Sequence, residues 1–580
     1  MPIYSQTFTK IIAGDIVNDG GRSGGSSWID YDKDGWLDLF VANGNQSAQN
    51  NFLYRNNRDG SFVKITSGGV VTDGGSSIGG TWGDYDNDGD PDLFVTNRAL
   101  TSGASTTNFF YRNAGDGSFD RITSGEIAND VSDSNISSWI DIENDGDLDL
   151  FVVNFGQSNF LYLSNEDGTF TKSTSSVISQ PSLSISAVWK DYNNDSYLDL
   201  FIGNGGSQAN FLFLNNRDGS FTQITSGSVV TDIASSTGCS WGDFNNDGNL
   251  DLIVANFLGT DNFLYRNDGP PNYTFTKITT GPIVNDGGNS VGSAWGDLDN
   301  DGDLDLFIGN DNQNNFLYRN NGDGTFEKLA VGEIVNDIGR TFGVSMADYD
   351  RDGDLDIYAT NIQDQNNFFY SNNGNAHNWV SIKCVGTTSN KSAIGTKVKI
   401  KAMVDNAEIW QMREIASQSG YNSQNSLSTA FGLKDATVID SVLIEWPSGI
   451  LDVYTNLATN MFYSAAEGDT ITIEEIITAI HDRQDTLPEG FVLYQNYPNP
   501  FNPSTQISFG LPQATEIELT IYNIQGQKVK TLANEFQLAG QKSYAWKGLD
   551  DRGVEVASGV YFFQLKARGV QETKKMILMR

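Results

Sequence analysis

The chain has 580 residues, and its 73 Asp and Glu against 36 Lys and Arg give a formal net charge of −37. Such a surface repels nucleic acid and anionic membranes, and two cysteines with two histidines are too few for a disulfide framework or a zinc site. No stretch approaches the roughly 20 consecutive apolar residues that a membrane helix needs, so the chain is not expected to span a membrane.

The acidity is uneven. Residues 1–373 hold 52 acidic and 18 basic side chains, and residues 374–580 hold 21 and 18. The first residues, MPIYSQTFTK, show no charged segment followed by an apolar run, so either a signal peptide has been removed or the reading frame is incomplete. Residues 7–11, TFTKI, have the pattern of a strand.

From Asp30 onward one acidic loop recurs seven times: DYDKDGWLD at Asp30, DYDNDGDPD at Asp84, DIENDGDLD at Asp141, DYNNDSYLD at Asp191, DFNNDGNLD at Asp243, DLDNDGDLD at Asp297 and DYDRDGDLD at Asp348. The copies start 50 to 57 residues apart, a period that indicates stacked supersecondary units. Carboxylates at positions 1, 3, 5 and 9 with glycine at 6 let the backbone curl so that alternate side chains converge as oxygen ligands, as in the first half of an EF-hand loop. Without a cation they would repel, by about 1 kcal/mol per pair at 4 Å in water and about 4 kcal/mol at an effective dielectric near 20. An all-oxygen, flexible ligand set suits calcium better than magnesium.

Each loop leads into a short apolar run such as LDLFVAN, then a strand such as NFLYRNN, a turn, and a returning strand such as SFVKIT. A small-residue stretch ending in Trp28, Trp82, Trp139, Trp189, Trp241, Trp295 or Met346 precedes each loop and supplies a further strand. Four strands in each of seven repeats predict a seven-bladed β-propeller. The seventh repeat stops after its third strand, NFFYSNN at 367–373, so residues 7–11 are expected to complete it and close the ring, which removes exposed sheet edges.

These repeats resemble the FG-GAP or VCBS family, whose calcium-binding propeller blades also occur in integrin α-subunits, over residues 1–373. The resemblance implies these ligands: Asp30, Asp32, Asp34 and Asp38; Asp84, Asp86, Asp88 and Asp92; Asp141, Glu143, Asp145 and Asp149; Asp191, Asn193, Asp195 and Asp199; Asp243, Asn245, Asp247 and Asp251; Asp297, Asp299, Asp301 and Asp305; and Asp348, Asp350, Asp352 and Asp356. Up to seven Ca2+ ions are expected. The fourth loop should bind most weakly, because Asn193 removes a charge and Ser196 replaces the glycine, and Asn245 should weaken the fifth.

Residues 376–468 alternate apolar and polar positions in short strands. Ala393-Ile394-Gly395, Gly420-Tyr421, Ser423-Gln424-Asn425, Phe431-Gly432-Leu433 and Trp446-Pro447-Ser448-Gly449 resemble the ASPIC/UnbV domain of cartilage acidic protein-like proteins. Trp446 reads as a core residue of a small β-domain. Residues 469–487 read as a linker with a short helix at 474–480. Residues 488–580 resemble both the type A sorting domain of the bacterial type IX secretion system and the FlgD-like sandwich, through Asn496 to Pro503 and Gly559-Val560-Tyr561. The whole chain is thus expected to be all-β: a seven-bladed propeller, a small β-domain and a C-terminal Ig-like β-sandwich. The resemblance implies a bacterial protein, secreted or held on the outer cell surface, whose C-terminal domain meets secretion machinery.

Catalysis finds little support. His377 and His481 are poorly placed for a triad, and no Walker loop or nucleophile elbow is present. The loops between second and third strands are bounded by asparagines, from Asn43 and Asn51 to Asn361 and Asn367. With Asp19, Asp73, Asp130, Asp232, Asp286 and Asp337 they form a candidate face for an extracellular glycan or protein. The alternatives are a secreted polysaccharide-degrading enzyme and a structural subunit of a surface layer or filament. Cys239 and Cys384 are expected to be buried free thiols.

Overall fold

The computed structural model describes residues 7–579, apart from 46, 100–105, 166, 174–180, 331, 475–491, 495, 497–498, 500, 502–504, 512–514, 538–539, 553, 555 and 568–569. The fold is all-β. Seven four-stranded antiparallel blades make the propeller, and blade one comprises Ser23–Ile29, Asp38–Asn43, Phe52–Asn56 and Phe62–Lys64 from the axis outward. The inner strands of the next six begin at Ser77, Ser134, Ser184, Ser236, Ser290 and Ile338.

Blade seven contains Ile338–Ala347, Asp356–Asn361 and Phe368–Asn372, and its fourth strand is Phe8–Lys10 from the other end of the chain. Phe8 pairs with Asn372 and Lys10 with Tyr370, which closes the ring as the split repeat predicts.

The core lies between blades rather than within one. In four loops the aromatic second residue meets the Trp of the following blade, since Tyr85 stacks on Trp139, Tyr192 on Trp241 and Phe244 on Trp295, and Tyr349 meets Trp28 across the closure, while Tyr31 of loop one meets Phe119 of blade two. Trp28, Trp82 and Trp139 are fully buried. Large flat side chains that bury 150–250 Å² each suit such an interface.

The connections entering the blades contain helical turns that the sequence reading missed: Asp15–Asn18, Gly69–Thr72, Glu126–Asn129, Ser228–Thr231, and 3-10 turns at Pro282–Val284 and Glu333–Val335. Each follows a glycine with positive φ and buries two aliphatics, such as Ile16 and Val17. Four residues are too few for a helical period to register in a sequence.

The second domain is a sandwich of two four-stranded sheets. One holds Thr429–Lys434, Asn378–Val385, Met461–Ala466 and Ile471–Ile473, and the other Ala407–Glu414, Lys397–Val404, Val438–Glu445 and Leu451–Ala458. Val380, Ile382, Val398, Ile400, Val442, Ile444 and the predicted core residue Trp446 fill the space between them. The stretch expected to be a linker therefore begins with a strand, because Ile471–Ile473 pairs with Tyr463–Ala465. The helix expected at 474–480 lies almost wholly outside the described residues.

The propeller and this domain form one compact unit, residues 1–476. The segment Ser417 to Ser426 enters the axial channel. Gln424 is the hub: its N–H donates to Ser26 O at 3.0 Å, its carbonyl accepts from Trp28 N at 3.2 Å, and its side-chain amide bonds both the N–H and the carbonyl of Trp82. Asn425 Oδ1 accepts from Met346 N, and Ser417 Oγ donates to Trp139 O. The inner strand must be narrow here, since a Cβ on Gly25 would lie 1.8 Å from Asn422 O.

The C-terminal unit, residues 477–580, is a separate sandwich. Its sheets are Val492–Leu493, Thr505–Leu511 and Gly540–Trp546, and Lys528–Gln537, Thr515–Asn523, Gly559–Ala567 and Val570–Leu578. Ile507, Phe509, Leu519, Ile521, Trp546, Phe563 and Leu565 form its core.

Candidate metal centre

Each acidic loop is shaped by its own backbone before any ligand is considered. The first aspartate accepts the N–H groups of positions 5 and 6; in loop one Asp30 takes Asp34 N at 2.9 Å and Gly35 N at 3.0 Å. Position 5 accepts from position 7, as Asp34 does from Trp36 N. Two left-handed residues make the curl: position 4, from Lys33 at φ 55° to Arg351 at 59°, and position 6, a glycine in six loops. In loop four Ser196 adopts φ 72°, which costs a residue with a Cβ. The ninth-position aspartate uses one oxygen on the third strand, as Asp38 Oδ1 does on Asn56 N at 2.8 Å, and turns the other inward.

The loops are tied into a circle. Position 4 of each reaches the next loop: Lys33 to Asp90, Asn87 to Gly146 O and Asp147, Asn144 to Ser196 O, Asn194 to Gly248 O, Asn246 to Gly302 O and Asp303, Asn300 to Gly353 O and Asp354, and Arg351 to Gly35 O.

Carboxylate oxygens converge to within 4.8 Å in four loops, at Asp30, Asp32 and Asp34; Asp84, Asp86 and Asp92; Asp297, Asp299 and Asp301; and Asp348, Asp350 and Asp356. Among the described residues, loops three, four and five bring no three acidic oxygens that close. Glu143 replaces aspartate in loop three, and Asn193 and Asn245 remove a carboxylate from loops four and five.

Burial, with neighbouring carboxylates adding to it, pushes up the first-position carboxyls of Asp30, Asp84, Asp141, Asp243, Asp297 and Asp348. Asp30 rises to about 6, Asp84, Asp141 and Asp243 to about 7, and Asp297 and Asp348 go well above the usual range. Burial likewise raises the ninth-position Asp92 to about 9. Asp32 Oδ1, Asp38 Oδ2, Asp299 Oδ1 and Asp350 Oδ1 are buried without a hydrogen-bond partner. Orphaned anionic oxygens in a cluster of raised carboxyls fit a hard divalent cation, which would satisfy them and keep them ionised.

The second domain covers this face. Ser392 Oγ accepts from Asp84 N, Lys391 N donates to Asn87 Oδ1, Gly432 N donates to Asp297 Oδ2, and His377 Nδ1 lies 2.7 Å from Asp299 O. Arg413 is buried near Asp297, Asp243 and Asp303, and burial lowers its pKa.

On the opposite face the structure corrects the expected binding groups. The first asparagine of every second-to-third-strand loop gives its N–H to the side-chain oxygen of the last, from Asn43 and Asn51 (2.9 Å) to Asn361 and Asn367 (2.8 Å). These residues close their own loops. The loops then pair with the connection of the next blade at all seven junctions, including Gln49 with Gly75 and Gln365 with Gly21.

Asp19, Asp73, Asp130, Asp232, Asp286 and Asp337 are spent internally too. Each accepts a tyrosine hydroxyl, from Tyr54, Tyr111, Tyr162, Tyr265, Tyr318 and Tyr370. Each also pairs with a cation, Lys64, Arg121, Lys172, Lys277, Lys328 or Lys10, that sits over a phenylalanine ring of the third strand. Blade four has Phe213 and Gln223 where the others have tyrosine and cation, and the stretch before its inner strand has no aspartate, so the trio is lost as a set.

Cys239 and Cys384 are buried free thiols, both pushed up to about 12 by burial. Among the described residues no helix is long and apolar enough to cross a membrane.

The FG-GAP-like repeat model matches residues 30–95, 141–202, 191–254, 243–308 and 297–359, the ASPIC and UnbV model matches 386–472, and the FlgD Ig-like domain model matches 498–570. Cartilage acidic protein 1 of Xenopus tropicalis is 27% identical over 317 residues, 50% of this chain and 45% of that protein. The Homo sapiens protein is 28% identical over 271 residues, 44% and 40%. The chain thus spans less than half the length of these curated relatives.

Among solved structures, an Agrocybe aegerita lectin that recognises non-reducing terminal N-acetylglucosamine is 17% identical with a TM-score of 0.37, over 56% of this chain and 87% of its own. PorZ, a surface component of the type IX secretion system of Porphyromonas gingivalis, is 11% identical with a TM-score of 0.29, over 100% and 87%. Likenesses this slight carry no argument. The family matches do, and the chain is an FG-GAP-repeat propeller joined to an ASPIC and UnbV domain and a FlgD-like Ig domain.

Proposed function

We propose that the chain is an extracellular recognition or adhesion protein whose propeller is stabilised by calcium in its acidic loops, with Asp30, Asp32 and Asp34 and the corresponding clusters of loops two, six and seven as the principal ligands. The observation that carries this reading is the set of buried carboxylate oxygens without partners at Asp32, Asp38, Asp299 and Asp350. Loops three and five, with Glu143 and Asn245, are weaker sites. Calorimetric titration of the chelated protein with calcium tests it: saturable binding of several ions supports the reading, and no binding at millimolar calcium sinks it.

The ligand on this reading is an extracellular protein or glycan, held on the face opposite the loops. With the asparagines and aspartates there engaged internally, what that face presents to solvent includes the aliphatics Val131, Ile233, Leu258 and Ile338, each at least 60% exposed. Exposed aliphatics favour a protein partner over a sugar. A glycan array and a panel of matrix and surface proteins, each with and without calcium, decide between the two. The FlgD-like unit is proposed to serve as the sorting domain for type IX export in a bacterium, in keeping with a secreted or outer-surface location. Retention of the protein inside cells that lack residues 488–580, and export with them present, is the expected result.

A further inference from the structure

The fourth loop differs from its six counterparts in what faces it. Lys397, on the second domain and only 4% exposed, extends its ammonium into the loop. It lies 2.8 Å from Asp191 Oδ2, 3.1 Å from Asp191 O and 2.6 Å from Asn194 Oδ1. Three donors meet three oxygens, the full complement of an ammonium group.

Most of the rest of the loop is engaged, with Asp199 Oδ2 left buried and without a hydrogen-bond partner. Asp195 Oδ2 accepts from Asn193 Nδ2 at 3.2 Å and from Arg217 at 3.0 Å, and Ser196 N donates to Asp191 Oδ2 at 2.6 Å. Glu414, beside Lys397 on the adjacent strand, accepts from Asp191 N with Oε2, which is 3.9 Å from Lys397 Nζ. Its Oε1 lies 3.6 Å from Lys190, the residue just before the loop. Two lysines therefore stand against Asp191 and Glu414 and Arg217 against Asp195, so that three of the four carboxylates here have a cationic partner without a metal ion, and Asp199 is the fourth.

The sequence of the loop agrees with this arrangement. Asn193 removes the third-position charge, and Ser196 replaces the glycine that the curl favours. A divalent ion placed here would meet a buried ammonium bonded to the same first-position carboxylate. Like charges at such a distance, in a site shielded from water, exclude one another.

We infer that the fourth loop takes the Lys397 ammonium in place of a metal ion, so that this lysine is both the counter-charge of the loop and a pin fixing the second domain on the propeller. The inference rests on the reading that other loops bind calcium, and the experiment separates the two.

Ions per full-length chain are counted by native mass spectrometry at saturating calcium for the wild type and for two matched ninth-position variants. Asp38→Asn is expected to lose one ion and Asp199→Asn none. Loss of an ion in Asp199→Asn overturns the inference. No loss in Asp38→Asn, with no ions on the wild type, overturns the calcium reading instead.

A second arm needs no calcium. In chelator, Lys397→Met should lower the melting temperature by several degrees, and adding Asp191→Asn should recover part of that drop, because the uncompensated buried carboxylate is then gone. An unchanged melting temperature in Lys397→Met, or a further fall in the double variant, overturns the pin.

Discussion

Lys10 Nζ lies 2.7 Å from Asp337 Oδ2 and 4.5 Å above the ring of Phe368, so the N-terminal strand carries into blade seven the same ion pair that five other blades build from contiguous sequence. The closure is fastened by side chains as well as by strand pairing. Lys10→Ala should cost about 1 kcal/mol, since the pair is partly exposed and the ring contact adds to it. Removing residues 7–11 should cost several times more, because it also bares the outer edge of Phe368–Asn372 and leaves Asp337 unpaired. Denaturant titration of the two variants checks the order, and equal losses would mean that strand pairing contributes nothing.

Calcium should govern both stability and its pH dependence. A site held at 100 times its dissociation constant stabilises the folded ring by about 2.7 kcal/mol, so chelation should lower the melting temperature of residues 1–476 by many degrees. In chelator burial holds a subset of the loop aspartates above the ordinary 3.8, Asp30 at about 6, Asp84 at about 7 and Asp92 at about 9. The folded state then binds protons more tightly than the unfolded one. That contribution is complete below pH 3.8 and is lost as pH rises through about 6 to 9. Chelated protein should accordingly melt higher at pH 5 than at pH 8, and calcium should shrink or reverse the difference. Scanning calorimetry at the two pH values, with and without calcium, gives the answer.

Gln424 should be costly to truncate. Gln424→Ala strands the N–H and the carbonyl of Trp82 inside the channel, and buried polar groups left unpaired cost about 1–3 kcal/mol each. Gln424→Glu keeps the acceptor for Trp82 N but loses the donor to Trp82 O. It should fall between the wild type and Gln424→Ala in melting temperature.

Glu467 predicts an acid limb of the opposite sign. Burial alone would raise its pKa, but the Ser448 hydroxyl and the N–H groups of Thr387, Ser389 and Thr388 outweigh it and hold the carboxyl at about 2. With the folded value below the ordinary 4.5, its stabilisation is complete above pH 4.5 and lost as pH falls through about 2. Glu467→Gln should be destabilised at pH 7 and should lose little more between pH 4.5 and 2, where the wild type falls. Urea midpoints across that window test it, and parallel pH curves would refute the role.

The repeat was legible because its two signals are local. Aspartates at fixed spacing mark the loops, and β-branched runs after each mark the second strand, so the blade count and the crossing of Phe8–Lys10 into blade seven could be read directly. What escaped the sequence was relational. Asparagine at position 4 of five loops was visible as a pattern, yet its task of gripping the next loop appears only when neighbouring blades are in place. Asp19 and its counterparts looked like surface acids because Tyr54 and Lys64 stand far along the chain. Lys397 gave no sign at all, since nothing local distinguishes it from Lys399 or Lys401, whose partners are Glu445 and Glu408 within the same domain.

The plug at Gln424 also sets an order of events. Its partners Ser26, Trp82, Trp139 and Met346 belong to blades one, two, three and seven, so its berth exists only when both ends of the propeller have met. A chain emerging from the ribosome or a translocation pore makes the two halves of blade seven more than 350 residues apart and the plug later still. Contacts over such separations form slowly. The nascent ring is therefore an unlatched clasp through most of its synthesis, and the ASPIC and UnbV domain, arriving after the last blade, is the catch that holds it shut.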